Sequence, residues 1–475
     1  MSDEREFAYM PVWELVTKIR GKKISPVELT DYFLARIEKH DAKVNAFLTV
    51  TGDLARAQAK DAEKAVINGE ELGPLHGVPV AIKDLVLTQG IRTTMGSQVY
   101  ENNIPDTDDL IVERLKQAGT VILGKTNTPE FGHRGTTENM LGDACRNPWD
   151  LSRTAGGSSG GAAAALIAAL SPIAPGSDGG GSIRIPGAFC GVYGIKPTQG
   201  RIPRLYTSPG RWGQFSQNGP MTLNVRDAAL TFQVLAGPDQ RDPTCLQVPA
   251  PDFSLGLQGG VKGLKIAWSK NYGDAAVDPE VAHCVATAVK TFSDLGAEVE
   301  EIDPPINGEQ IFETFKTIFW SDYASVYDKL LDSSSDQLSQ EVRLGLEEVR
   351  SWNAGKIMNA LHELEWHRER MKRFFDNIDL LLSPALAVPA FPIQKFPDEI
   401  NGQSVEEMWG YTPFTFPINM SGQTAATVPC GFSSEGLPIG LHIVGPKGGE
   451  VQVIRASAAY EEARPWQHHR PLGFE

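Results

Sequence analysis

The chain predicts an α/β fold, and three observations carry that reading. Short apolar runs rich in β-branched residues recur along its length, amphipathic helical stretches separate them, and the segment Leu264 to Ile302 joins strand, helix and strand in one βαβ unit. Taken in order, Ser25-Pro26-Val27-Glu28 has the form of a capping box with proline at the first helical position. Leu29, Phe33 and Ile37 then fall on one face of the helix that follows, which opens a helical N-terminal region over residues 1–65. Val78 to Val86 reads as a strand, Asp108 to Ala118 as a helix, Thr120 to Leu123 as a strand, and the alanine- and leucine-rich Ala162 to Leu170 as a helix. The βαβ unit places strands at Leu264–Trp268 and Glu298–Ile302 around a helix at Val281–Leu295, and further strands are expected at Leu380–Leu382 and Ile439–Val444. Residues 306–376 are charged, aromatic and helical, and are expected as a cap-like insertion. The core is then 66–305 and its C-terminal part 377–475. Motif residues are spread over both, so one sheet-centred domain is expected.

Composition excludes several classes of function. The 475 residues are 41% hydrophobic, enough for a large core. A formal net charge of −15 argues against extended contact with nucleic acid, which needs a basic footprint. No run of about 18 apolar residues appears and the start MSDEREFAYM has no apolar leader core, so a cytoplasmic protein without a membrane span is expected. The five cysteines (Cys145, Cys190, Cys245, Cys284, Cys430) form no CxxC pair and stand near no histidine cluster. Neither a zinc site nor a catalytic thiol is expected, and an odd count without a framework suits a reducing compartment.

Chemistry gathers in two glycine-rich stretches and one lysine. Gly179, Gly180 and Gly181 precede Ser182, and consecutive turn-like N–H groups of such a run make a nest for negative charge with the serine at its end. Ser158 lies in GGSSGG (residues 156–161), and Lys83 sits among Val78, Val80, Ala81, Ile82 and Leu85, where desolvation favours a neutral amine able to act as a base. Each piece alone has a plainer reading. GGSSGG resembles a flexible linker, and a lone lysine in an apolar run usually snorkels to the surface. Gly119 to Thr126 matches the phosphate-loop pattern GxxxxGK[ST], but a β-branched strand occupies the supposed loop. Gly156 to Gly160 matches the GxSxG nucleophile elbow, which would make Ser158 the nucleophile of an esterase with His442 as base. That reading needs an apolar strand before the serine, where Asp150 to Ala155 is polar and expected to be irregular. It also leaves Ser182 without a role.

GVPVAIKDL around Lys83, GGSSGG and GSDGGGSIRIPGAFCGVYGIKPT together resemble the amidase signature family, as do KTNTPEF, RNPWD, SGQTAATVPCGF and GLPIGLHIVG; the resemblance spans roughly residues 10 to 465. It implies a large mixed, twisted sheet covered by helices in an α/β/α sandwich. It also implies a Ser182–Ser158–Lys83 triad in which Ser182 attacks a carbonyl and Ser158 relays the proton to Lys83. Backbone N–H groups of Gly179, Gly180, Gly181 and Ser182 would meet the oxyanion, a cis peptide would join Gly157 to Ser158, and Asp178 and Arg184 would hold the nest in shape. Candidate pocket residues are Phe131, Gly132, His133, Met140, Cys190, Trp409 and Phe414. The expected reaction is hydrolysis of a small, mostly neutral carboxamide (aliphatic, anilide or carbamate) without metal or organic cofactor, and without nucleic-acid or membrane partners. Oligomeric state is not read from the motifs, a homodimer being the assembly left open. The alternative within the family is the amidase subunit of a tRNA-dependent amidotransferase, which releases ammonia from glutamine.

Overall fold

The computed structural model describes residues 7–205 and 215–474. Residues 1–6, part of the start MSDEREFAYM on which the leader expectation rests, lie outside them. Along the chain run α1 (Val12–Arg20), α2 (Pro26–Val44), β1 (Phe47–Val50), α3 (Gly52–Asn68), β2 (Pro79–Lys83), α4 (Leu110–Gln117) and β3 (Val121–Thr126). There follow β4 (Arg146–Asn147), β5 (Asp150–Thr154), α5 (Gly160–Ile167), β6 (Gly176–Asp178), α6 (Arg184–Cys190), β7 (Tyr193–Lys196), β8 (Gln217–Gly219), β9 (Met221–Thr222) and α7 (Val225–Leu235). Next are β10 (Lys265–Trp268), α8 (Pro279–Asp294), β11 (Glu298–Glu301), α9 (Gly308–Tyr327), α10 (Leu330–Ser333), α11 (Gln340–Val349) and α12 (Ala354–Phe374). Last come β12 (Leu380–Pro384), β13 (Glu399–Ile400), β14 (Gln403–Ser404), α13 (Phe416–Ser421), β15 (Thr424–Phe432), β16 (Pro438–Gly445) and α14 (Glu450–Ala463).

A seven-stranded mixed sheet of order β11-β10-β12-β16-β15-β7-β9 forms the centre, and a three-stranded sheet of order β1-β3-β2 carries Lys83 at its last position. In the βαβ unit β10 pairs parallel to β11, as a crossover through a helix requires. Ser25 caps α2 by accepting from the Val27 and Glu28 N–H groups (3.0 and 3.2 Å), while its hydroxyl donates to Glu63 of α3, so the acidic partner comes from the neighbouring helix. Every residue of α5 is buried, including four consecutive alanines, which lets this helix lie against other backbone in the interior.

The segment Asp150 to Thr154 corrects one expectation. It is a strand rather than irregular, paired antiparallel with β4 in a two-stranded hairpin apart from the main sheet, and its polar residues suit that edge position. Lys125 of the phosphate-loop pattern lies inside β3 as expected, its ammonium buried and donating to Val86 O, Thr88 Oγ1 and Thr93 Oγ1 (2.5, 3.0 and 2.8 Å). Among the described residues no helix is long and apolar enough to cross a membrane.

Candidate active site

Lys83 ends β2, Ser158 and Ser159 precede α5, and Ser177 lies in β6, so three elements deliver polar groups to one buried point. Lys83 Nζ lies 2.8 Å from Ser158 Oγ, 2.8 Å from Ser159 Oγ and 3.0 Å from Ser177 Oγ, with Ser177 O at 3.4 Å. Its partners among the described residues are thus hydroxyls and one carbonyl, with no carboxylate. Its pKa lies well below the ordinary lysine value because burial penalises the ammonium; Asp178 opposes the fall and the Arg204 charge deepens it. Ser159 is also the residue before the first turn of α5, whose Gly160 and Gly161 N–H groups are taken by Thr137 Oγ1 and Asn127 O (3.2 Å each). The peptide bond from Gly157 to Ser158 is cis. Glycine is required at 157 by close approach: a Cβ there would stand 2.3 Å from Thr136 O.

Ser182 and Ser158 open into the same cavity, whose other walls are Leu85, Val86, Phe131, Gly132, Ser177, Gly179, Asp109, Arg204, Ser216 and Asn218. Its open space is about 20 Å³, room for roughly one water. The nest leading to Ser182 is packed from behind. A Cβ on Gly180 would meet the Phe315 and Trp409 rings at 3.1 Å, and Gly181 holds φ +128° with Thr415 Oγ1 2.5 Å from where its Cβ would be.

Asp178 and Arg184 build the frame of this loop. Asp178 Oδ1 accepts from the Gly181 N–H (2.8 Å) and Oδ2 from the Ile183 N–H (3.1 Å). Arg184 grips both carboxylate oxygens, Nε to Oδ2 at 2.9 Å and Nη2 to Oδ1 at 3.0 Å. Burial alone would raise the Asp178 pKa, but the Arg184 guanidinium, the Lys196 charge and the Asn419 amide together outweigh it and hold the carboxyl well below its usual range. The remaining Arg184 protons go to Asn419 Oδ1 (2.5 Å), Thr415 O (3.1 Å) and His442 Nε2 (3.0 Å), and Asn419 Nδ2 donates back to Asp178 O and Oδ1 (2.9 and 2.8 Å). Since a guanidinium only donates, His442 Nε2 is the accepting nitrogen and the ring proton sits on Nδ1, 3.5 Å from Ser383 Oγ. His442 is thereby engaged in the Arg184 frame and is not the base that the elbow reading gave Ser158.

The expected donor set needs one correction. The Gly181 N–H is taken by Asp178, whereas those of Gly179, Gly180 and Ser182 have no other partner among the described residues. The pocket candidates divide. Phe131 and Gly132 line the cavity, with Phe131 stacked on Tyr327 at 3.9 Å between ring centroids. His133 is buried beside them, its Nδ1 2.8 Å from Glu130 O and its pKa depressed to about 4 by burial and then by Arg134. Trp409 backs the nest and faces a second cavity of about 460 Å³ whose walls include Ile306, Phe312, Val405 and Phe416. Met140, Cys190 and Phe414 do not line the cavity shared by Ser158 and Ser182. Met140 is 43% exposed. Cys190 is fully buried against Ala155 O, and burial pushes its thiol pKa up; Phe414 packs edge-on to Tyr272 in the main core. Sequence reasoning missed Ser177, Ser159, Asn419, Thr415 and Arg204. Ser159 and Ser177 stand directly beside named residues, but nothing local marks Asn419 or Thr415.

The Amidase family profile matches residues 28–454. An acylamidase of Rhodococcus erythropolis is 37% identical over 98% of both chains, and a chain of the Glutamyl-tRNA(Gln) amidotransferase of Geobacter sp. (strain M21) is 36% identical over 96% of this chain and 98% of its own. The crystal structure of a bacterial aryl acylamidase of the amidase signature family superposes with a TM-score of 0.92 at 33% identity, covering 98% of this chain and 99% of the other. With the fold, the serine-rich lysine site and these likenesses in agreement, the chain belongs to the amidase signature family and is an amidase.

Proposed function

We propose that the chain hydrolyses small, mostly neutral carboxamides (anilides, aliphatic amides or carbamates) through an acyl-enzyme on Ser182, with Ser158 and Lys83 as proton relay and base. The observation that carries this reading is the 2.8 Å contact from a buried lysine without a carboxylate partner to Ser158, in a cavity shared with Ser182. Hydrogen accounting supports the direction of the relay. Ser159 Oγ sends its own proton toward Ser177 O (3.3 Å) and accepts from Lys83, so the two protons of a neutral amine are spent on Ser159 and Ser177. The lone pair is left for the proton of Ser158.

In the first half-reaction Ser182 Oγ bonds to the carbonyl carbon while its proton passes to Ser158 and that of Ser158 to Lys83. The carbonyl oxygen becomes an oxyanion facing the N–H groups of Gly179, Gly180 and Ser182, each such donor lowering the barrier by roughly 3 kcal/mol. The lysinium returns the proton through Ser158 to the leaving nitrogen, the C–N bond breaks and an amine departs. Water repeats the sequence on the ester and releases a carboxylate. Support for a neutral substrate comes from the walls: the charged side chains among the described lining residues are Arg204 and Asp109, one of each sign.

A second reading, the glutamine-hydrolysing component of a tRNA-dependent amidotransferase, is favoured by the 36% identity to a chain of such an enzyme over nearly the full length. A panel of chromogenic anilides, carbamates, esters and glutamine separates the two, with products followed by mass spectrometry. The purified chain alone is expected to turn over an anilide or carbamate to amine and acid. Failure on every neutral amide, with ammonia released from glutamine once partner chains are added, would establish the second reading.

A further inference from the structure

Cys284 on α8 and Cys430 on β15 face one another with their sulfurs 3.8 Å apart, both half-buried and neither among the residues lining the Ser182 cavity. Three features bring them together. Pro429 pairs with Gly440 and Gly431 with Ile439, so two steps along β15 match one along β16 and Cys430 is the extra residue of a β-bulge; a bulge re-aims the side chain it carries. The next residue is glycine, and a Cβ at Gly431 would lie 2.5 Å from Cys284 Sγ, so its absence makes room for that sulfur. One turn earlier on the same face of α8, Glu280 accepts from Ser434 N–H (2.9 Å) and Ser434 Oγ–H (2.6 Å), which ties the helix to the turn that leaves β15.

We propose that Cys284 and Cys430 are a redox-modification site that closes to a disulfide when a low-molecular-weight disulfide is available as oxidant. Bond formation at about 2.05 Å requires the sulfurs to approach by less than one atomic diameter, within reach of side-chain rotation. Cys284 is the attacking thiol, since it is the more open of the two and its pKa is lowered, first by its hydrogen bond with Cys430. Its thiolate displaces one thiol from the oxidant and forms a mixed disulfide. Cys430, whose thiol is held well above its ordinary pKa by burial and then by the Cys284 contact, gives up its proton as it attacks the Cys284 sulfur and displaces the second thiol. Two protein S–H bonds are lost, one S–S bond forms, and the oxidant is reduced to two thiols. The remaining cysteines are differently placed: Cys145 and Cys190 are fully buried in the core, and Cys245 is buried and bonded to Asp239. A bridge would bind residues 146 positions apart and fasten α8 to the main sheet.

The test incubates the full chain with glutathione disulfide, then maps an unreduced digest by mass spectrometry and counts thiols after denaturation. A peptide pair joined through Cys284 and Cys430, a thiol count falling from five to three and a melting temperature raised reversibly by the oxidant are expected. C284S and C430S should each lose the crosslink and the rise, whereas hydrolysis in the reduced state should persist. Stable glutathione adducts on Cys284 without closure, two unmodified thiols, or a bridge drawn from Cys145, Cys190 or Cys245 would overturn the proposal. The wild-type map decides even where a variant folds poorly.

Discussion

Ser182→Ala is expected to lower kcat for an anilide on the order of 10⁶-fold, the scale seen when the nucleophile is taken from a triad that acts as a unit. A fluorophosphonate should label Ser182 in the wild type, since this residue ends the nest whose Gly179, Gly180 and Ser182 N–H groups have no other partner among the described residues, while Ser158 is bonded to Lys83. Peptide mapping of the adduct reads the outcome. An adduct on Ser158, together with normal turnover by Ser182→Ala, would return the nucleophile to Ser158 and remove the relay.

Lys83→Ala should cost at least the roughly 10²- to 10⁴-fold in kcat/KM usual for a general base on an anilide, more where it acts as one unit with the serines, and less on a matched phenyl ester. The asymmetry follows from the leaving group: an amine must be protonated before it departs, and the lysinium is its proton source, whereas a phenoxide leaves unaided. In the wild type kcat/KM should fall as pH drops through the Lys83 pKa, because the protonated form has no lone pair for Ser158; the lowered pKa places that limb on the acid side of the ordinary lysine value. The limb should vanish in the variant. An unchanged anilide rate in folded Lys83→Ala protein would take the lysine out of the mechanism.

The elements with a strong local pattern are legible in the sequence. The Val78–Val86, Leu264–Trp268 and Ile439–Val444 runs are β2, β10 and β16 with ends shifted by a few residues, and the Ser25 signal marks the residue before α2. Strand β15 carries a family motif but no strand pattern of its own. Its sequence TAATVPCGF holds alanine, proline and glycine, and it is extended because β16 and β7 pair on its two sides. Lys83, Ser158 and Ser182 stand out because their types are costly to bury unless they are partnered. The frame behind them does not. Arg184 draws on Thr415, Asn419 and His442 more than two hundred positions downstream, and no local periodicity reports such a contact. The occupied Gly181 N–H is equally hidden, since glycine composition says that a nest can form but not which of its protons turns inward.

The burial of Lys83 also makes folding itself a titration. Unfolded, this side chain holds its proton up to the ordinary value near 10.5; folded, it gives that proton up at a much lower pH. Between those two limits the unfolded chain binds about one more proton at this position. The contribution of Lys83 to stability therefore declines as pH falls, by about 1.4 kcal/mol per pH unit. Relative to Lys83→Met, which cannot titrate, the wild type should lose stability with that slope on acidification from pH 10. Its calorimetric unfolding enthalpy within that window should also vary more with the ionisation heat of the buffer. Equal slopes for the two proteins would mean that the lysine keeps its proton in the native state. The buried lysine is thus a strained component of the native protein, its proton disfavoured by the free energy of everything packed around it.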